Sequence, residues 1–149
     1  MELQEIFNKA HKHFAGMTEP SMGNEESTVG QQCAYRGAFG NKCVVGAFIP
    51  DELYNERLEG DSLDQESICE FEIGYHSTRV TEVLAKAFGQ DFLSDDQYLL
   101  LAKLQRTHDK NAMDWRNYES EDISWYDFIK PAILSCAHDF KLETGDNHA

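Results

Sequence analysis

Residues 33 to 60, CAYRGAFGNKCVVGAFIPDELYNERLEG, decide how this chain is read. The block holds two cysteines, a Tyr35-Arg36-Gly37 step, the apolar run Cys43-Val44-Val45, a proline-led acidic turn and a closing Glu59-Gly60. β-Branched residues bounded by turn formers favour an extended, pleated backbone. The block therefore reads as a β-hairpin, with Gln31 to Arg36 and Lys42 to Phe48 as strands around the turn Gly37-Ala38-Phe39-Gly40-Asn41. Gly46 inside the second strand marks a bulge or the close approach of another backbone. Ile49 precedes proline and is held extended, while Pro50 suits the start of a short helix whose first turn gains from Asp51 and Glu52.

Outward from this block the periodicity turns helical. Leu3, Ile6, Phe7, Ala10 and Phe14 share one face, so residues 2 to 15 form an amphipathic helix stopped at Gly16. Residues 18 to 30 are polar and rich in turn formers and read as a mobile loop. After Gly60, a short helical start over Leu63 to Glu70 runs into the alternation Cys69, Phe71, Ile73 and Tyr75, a third strand. Val80, Val83, Leu84, Ala87 and Phe88 give a further helix closed by Gly89. Ser94-Asp95-Asp96-Gln97 is a capping box, stapled by Leu93 and Tyr98, for a helix running to about His108. Asn111 to Glu119 reads as loop or irregular helix. Ser124 caps a last helix carrying Trp125, Ile129, Ile133 and Cys136, which Pro131 should kink or divide. Residues 143 to 149 form a frayed tail. The fold class is α+β: one domain over residues 1 to 149, a small antiparallel hairpin or three-stranded sheet packed by four to five helices.

Composition limits function. The chain has 27 acidic and 13 Lys or Arg residues in 149, a formal net charge of -14. Such a charge repels polyphosphate, which argues against direct nucleic-acid binding. There is no run of about 18 apolar residues to span a membrane, and Met1-Glu2-Leu3-Gln4-Glu5 lacks the basic start of an export signal. The expectation is a cytoplasmic protein with reduced thiols and no cofactor. The acids cluster: Asp51, Glu52, Glu56, Glu59, Asp61, Asp64, Glu66, Glu70 and Glu72 share their interval with Arg57 alone. A second run comprises Asp109, Asp114, Glu119, Glu121, Asp122 and Asp127. Their ordinary reading is a solvated face that maintains solubility. Their sharper reading is a partner-binding surface for a basic protein, including mimicry of a nucleic-acid backbone.

One other constellation has the residue types for chemistry. Cys33 and Cys43 flank the hairpin turn, and with His108, and Asp109 or His76 as a further ligand, they are candidate zinc ligands. Their nine intervening residues differ from the tight pairs that structural zinc prefers. Cys43 with His108 and Asp109 also supplies a nucleophile, base and orienting group in kind. Against this, Cys43 lies in an apolar run that suppresses the thiolate. His108 and Asp109, adjacent on a helix, point about 100° apart. No phosphate-binding loop, dinucleotide fingerprint, nucleophile elbow or HExxH occurs.

The segments Cys33 to Gly37, Lys42 to Gly46, Ile49 to Tyr54, Glu59-Gly60 and Leu104-Gln105-Arg106-Thr107-His108-Asp109 together resemble a pattern in small uncharacterised proteins of tailed phages and prophages. Those carry "Y-R-G … K-C-A-I-G … I-P-D … Y … E-G", then "L-Q-x-I-H-D" and a tryptophan, here matched by Trp115. Departures are Val44 and Val45 for Ala-Ile, Phe48 for Leu, and Thr107 for an apolar residue. The resemblance implies a mobile-element context and supplies no activity. It points to an accessory or interaction protein acting on a host protein with a basic surface, such as an acidic inhibitor of a host defence or nucleic-acid-processing protein. The alternative is a small enzyme or metal-binding protein built on Cys33, Cys43 and His108.

Overall fold

The computed structural model describes residues 1–22, 34–37, 40–60, 79–116 and 123–145. Five helices occur among them: α1 (Leu3–Gly16), α2 (Val44–Ala47), α3 (Arg79–Ala87), α4 (Asp95–Arg116) and α5 (Trp125–Asp139). Two 3₁₀ turns, Asp51–Leu53 and Glu56–Gly60, follow α2. α4 is the central element. It packs most extensively on α5 and also meets α1 and α2. The core between them is made by Ile6, Phe7 and Phe14 of α1, Leu100, Leu101 and Leu104 of α4, and Trp125, Ile129 and Ile133 of α5, all fully buried. Each such side chain contributes about 1.5–3 kcal/mol by leaving water.

The α+β expectation is corrected here: the described residues are mostly helical and contain no strand. Among the described residues of the hairpin one antiparallel bridge is present, Arg36 to Lys42, with Gly37 N–H donating to the Asn41 carbonyl at 2.8 Å. The run Cys43-Val44-Val45-Gly46, read as a strand, instead caps and begins α2. A short apolar run that is buried all round satisfies either geometry. Hydrogen bonding selects the helix. The Cys43 Sγ accepts from Gly46 N–H at 3.3 Å, and the Gln105 Oε1 accepts from Val45 N–H at 3.2 Å. Two first-turn donors of α2, Val45 N–H and Gly46 N–H, are thereby satisfied by side chains and not by a neighbouring strand. Gln31 to Cys33, Leu63 to Glu70 and the third strand ending at Tyr75 lie outside the described residues.

Other boundaries follow local chemistry. Gly89 takes φ +70°, closing the chain after α3. The capping box forms as read: Gln97 N–H donates to Ser94 Oγ at 3.1 Å, and Ser94 N–H to Gln97 Oε1 at 2.9 Å. α4 then runs to Arg116, two turns beyond the expected end near His108. Its polar last turns stay helical because Ala112 is fully buried and Trp115 packs edge-on against Trp125 at 5.8 Å. Pro131 leaves α5 undivided. Ser124 caps it through Asp127 N–H at 3.1 Å. No helix of the described residues is long and apolar enough to cross a membrane.

Candidate functional site

The residues of the quoted sequence pattern converge on two hydrogen-bonded clamps, the first part-buried and the second deeper in the fold. The first is centred on Glu59. Its Oε1 accepts from Tyr35 N–H at 2.9 Å, and its Oε2 accepts from Arg36 N–H at 3.0 Å and from the Tyr54 hydroxyl at 2.6 Å. Arg36 lies over the Tyr54 ring at 4.5 Å and donates to Asp51 at 2.6 Å and to the Ile49 carbonyl at 2.9 Å. One carboxylate and one guanidinium thus fasten residues 35 and 36 onto the turns at 49 to 59. Burial, then the bond to Glu59, pushes the Tyr54 phenol up from its ordinary range.

The second clamp runs along α4. Gln105 accepts from Val45 N–H and donates from Nε2 to Asp109 Oδ1 at 2.7 Å. The same oxygen lies 2.9 Å from His108 Nδ1. On the far side of the ring, His108 Nε2 accepts from Ser21 N–H at 3.0 Å. Because a backbone N–H only donates, Nε2 carries the lone pair and Nδ1 the proton. Ser21 in turn donates from Oγ to the Ala34 carbonyl at 2.7 Å. His108 is completely buried, wedged between Phe14 of α1 and the edge of Trp125 of α5. Within the stretch 18 to 30, expected to be mobile, Ser21 is fully buried and pinned; residues 23 to 30 lie outside the described residues.

The glycines of the pattern are where the clamps close. A Cβ on Gly46 would stand 2.0 Å from the Tyr35 carbonyl oxygen. One on Gly37 would meet the Met22 carbonyl oxygen and Ser21 Oγ at 2.6 Å.

The sequence-derived candidates divide accordingly. Cys43 is fully buried at the start of α2, and burial holds its thiol well above the ordinary range. His108 spends both ring nitrogens on the second clamp. Asp109 does reach His108, contrary to the divergence expected of helix neighbours, because Nδ1 is the ring nitrogen nearest the backbone. Cys33 and His76 lie outside the described residues. Among those described, no three His, Cys, Asp or Glu side chains gather to hold a metal ion. Of the acidic candidates, Asp51, Glu52 and Glu56 are exposed, while Glu59 is occupied by the first clamp. Asp61, Asp64, Glu66, Glu70 and Glu72 lie outside the described residues. Asp114 and Asp127 are exposed; Asp109 is held in the second clamp.

Sequence reasoning missed Ser21 and Gln105. Ser21 carries no signal, being one polar residue in a polar stretch. Gln105 had one: it precedes Asp109 by four residues, the spacing that pairs side chains along a helix.

Cys43 and Cys136 are free and buried. Burial raises the Cys136 thiol to about 11, and only the thiolate attacks an alkylating agent. Iodoacetamide at about pH 8 is therefore expected to leave both unmodified in the native protein, by peptide mass mapping, and to label both in denaturant. Rapid native labelling of Cys43 would mean that the region around α2 opens.

No family model, no curated protein and no solved structure matches this chain.

Proposed function

We propose that this chain is a non-catalytic interaction protein of phage type. It binds a basic surface on a host protein, in the host cytoplasm, through exposed carboxylates. The observation that carries this reading is the fate of the reactive side chains. His108, Cys43 and Glu59 are all consumed in holding α2 and the 34–37 segment, so the pattern that looks most like a site serves as a brace. The exterior is left to speak for the protein, and its dominant property is the charge of -14. Glu52 and Glu56 stand exposed beside the first clamp, in which Asp51 is paired with Arg36. Rigid presentation of charge lowers the ordering cost of binding. A host defence or nucleic-acid-processing protein is the favoured target class, since its natural ligand is itself a polyanion.

The test is capture from host lysate on immobilised protein, with elution by salt. Raising salt from about 0.1 M to about 1 M shortens the screening length from roughly 10 to 3 Å. The captured protein should elute across that range, and the double variant Glu52→Lys, Glu56→Lys should fail to retain it. Retention that neither salt nor charge reversal weakens would refute the electrostatic reading.

A further inference from the structure

Against the acidic background one concave region has the opposite sign. A cleft of about 640 Å³ opens between the C-terminal half of α1 and the 40–47 segment. Its wall carries Lys9, Lys12, His13 and Lys42, with the Thr18 hydroxyl at its edge. No Asp or Glu stands among the described lining residues, although acids outnumber Lys and Arg 27 to 13 in the chain. The volume falls in the ~300–1,000 Å³ range of small-molecule sites.

The ammonium groups of Lys9 and Lys42 each have a neighbour within the fold. Lys9 Nζ sits over the Phe48 ring, 4.7 Å from its centroid. Lys42 Nζ lies 3.9 Å from Asp51 Oδ1, but that oxygen has its closer partner in Arg36 at 2.6 Å. His13 Nε2 is 2.6 Å from the Lys42 carbonyl oxygen, an acceptor, so Nε2 carries the hydrogen and Nδ1 gains a proton only when the ring charges.

We propose that this cleft binds a compact, phosphate-bearing small molecule. Lysines act as point charges that a tetrahedral oxyanion can meet from several directions, and a phosphate group concentrates more negative charge than a carboxylate in the same space. A small ligand feels the local lysines inside a screening length of about 8 Å. A long nucleic acid would meet the whole negative exterior.

Burial lowers the His13 pKa, helped by the positive charges of Lys42 and Lys9 and opposed by the bond to the Lys42 carbonyl. A bound anion reverses that bias. Binding therefore takes up a proton, and affinity rises as pH falls toward the pKa of the empty site.

Titration calorimetry of the full chain with pyrophosphate at low salt tests the site, with succinate as the dicarboxylate control. The expected result is saturable 1:1 binding of pyrophosphate, at least about tenfold tighter than succinate. Lys12→Glu reverses an exposed charge and should weaken it roughly tenfold. Gly16→Leu tests the cleft without altering charge: a Cβ at Gly16 meets nothing within 4 Å, so the fold is retained while the space is filled. Circular dichroism verifies that both variants are folded. His13→Gln keeps a donor for the Lys42 carbonyl and should flatten the pH dependence, which separates the histidine from ionisation of the ligand. Absence of saturable binding, equal affinity for succinate, native affinity in either folded variant, an unchanged pH profile in His13→Gln, or tighter competing binding by duplex DNA would each overturn the proposal.

Discussion

Gly46→Ala is expected to destabilise the protein by about 3 kcal/mol or more, although the same change in an ordinary helix stabilises by roughly 1 kcal/mol. The sign reverses because of where α2 lies. The new methyl would stand 2.0 Å from the Tyr35 carbonyl oxygen, against roughly 3.3 Å for a close C–H···O contact. That oxygen belongs to backbone and cannot swing aside. Tyr35 is anchored on both sides: its carbonyl accepts from Cys43 N–H at 3.3 Å and its N–H is held by Glu59. Relief therefore means breaking the first clamp or lifting α2 off α4. In thermal unfolding the midpoint should fall by roughly 10 °C for a domain of this size. An unchanged or raised midpoint would show that the Tyr35 segment yields easily and braces nothing.

Glu59→Ala should be nearly as damaging, by about 3 kcal/mol, since three donors lose their acceptor at once. Tyr54→Phe removes one of those bonds and one donor together, so about 1 kcal/mol is expected. Glu59→Gln should fall between the two. Its amide nitrogen must face either Tyr35 N–H or Arg36 N–H, setting donor against donor. Denaturant unfolding of the four proteins gives the ordering directly. The tyrosine also has a pH signature. Its phenol is shifted upward in the fold, so its contribution is fully present below about pH 10 and declines as pH rises beyond that. Native protein and Tyr54→Phe should therefore converge in stability under alkaline conditions. If Glu59→Ala proves neutral, the carboxylate is surface charge and the clamp is incidental.

The helices were legible because their signals are local. Leu3 to Phe14 and Val80 to Phe88 repeat at helical spacing, and Ser94 with Gln97 specifies an N-terminus through its own side chains. The hairpin expectation fails because Val44 and Val45 favour strands by local preference, and tertiary bonding overrides that preference. The acceptor for Val45 N–H is Gln105, sixty residues away. Nothing within the block reveals it. Of the two readings of Gly46, a strand bulge or the close approach of another backbone, the second holds: the approaching backbone belongs to Tyr35, and the element is a helix. The candidate site was legible in membership more than in meaning. Cys43, Glu59, His108 and Asp109 stood out by type, and all enter the internal network. Their direction, inward and mutually satisfied, depends on Ser21 and Gln105.

Native-state amide hydrogen exchange on Ser21, Val45 and Gly46 bears most directly on the idea that the pattern is a brace. Each of these N–H groups donates to a side chain within a clamp or at its edge: His108, Gln105 and Cys43 respectively. If the brace is integral to the fold, they exchange only on global unfolding, as slowly as the buried amides of α4 around Leu101 and Leu104. Exchange within seconds, while α4 remains protected, would show a segment that opens independently of the core and would contradict the account.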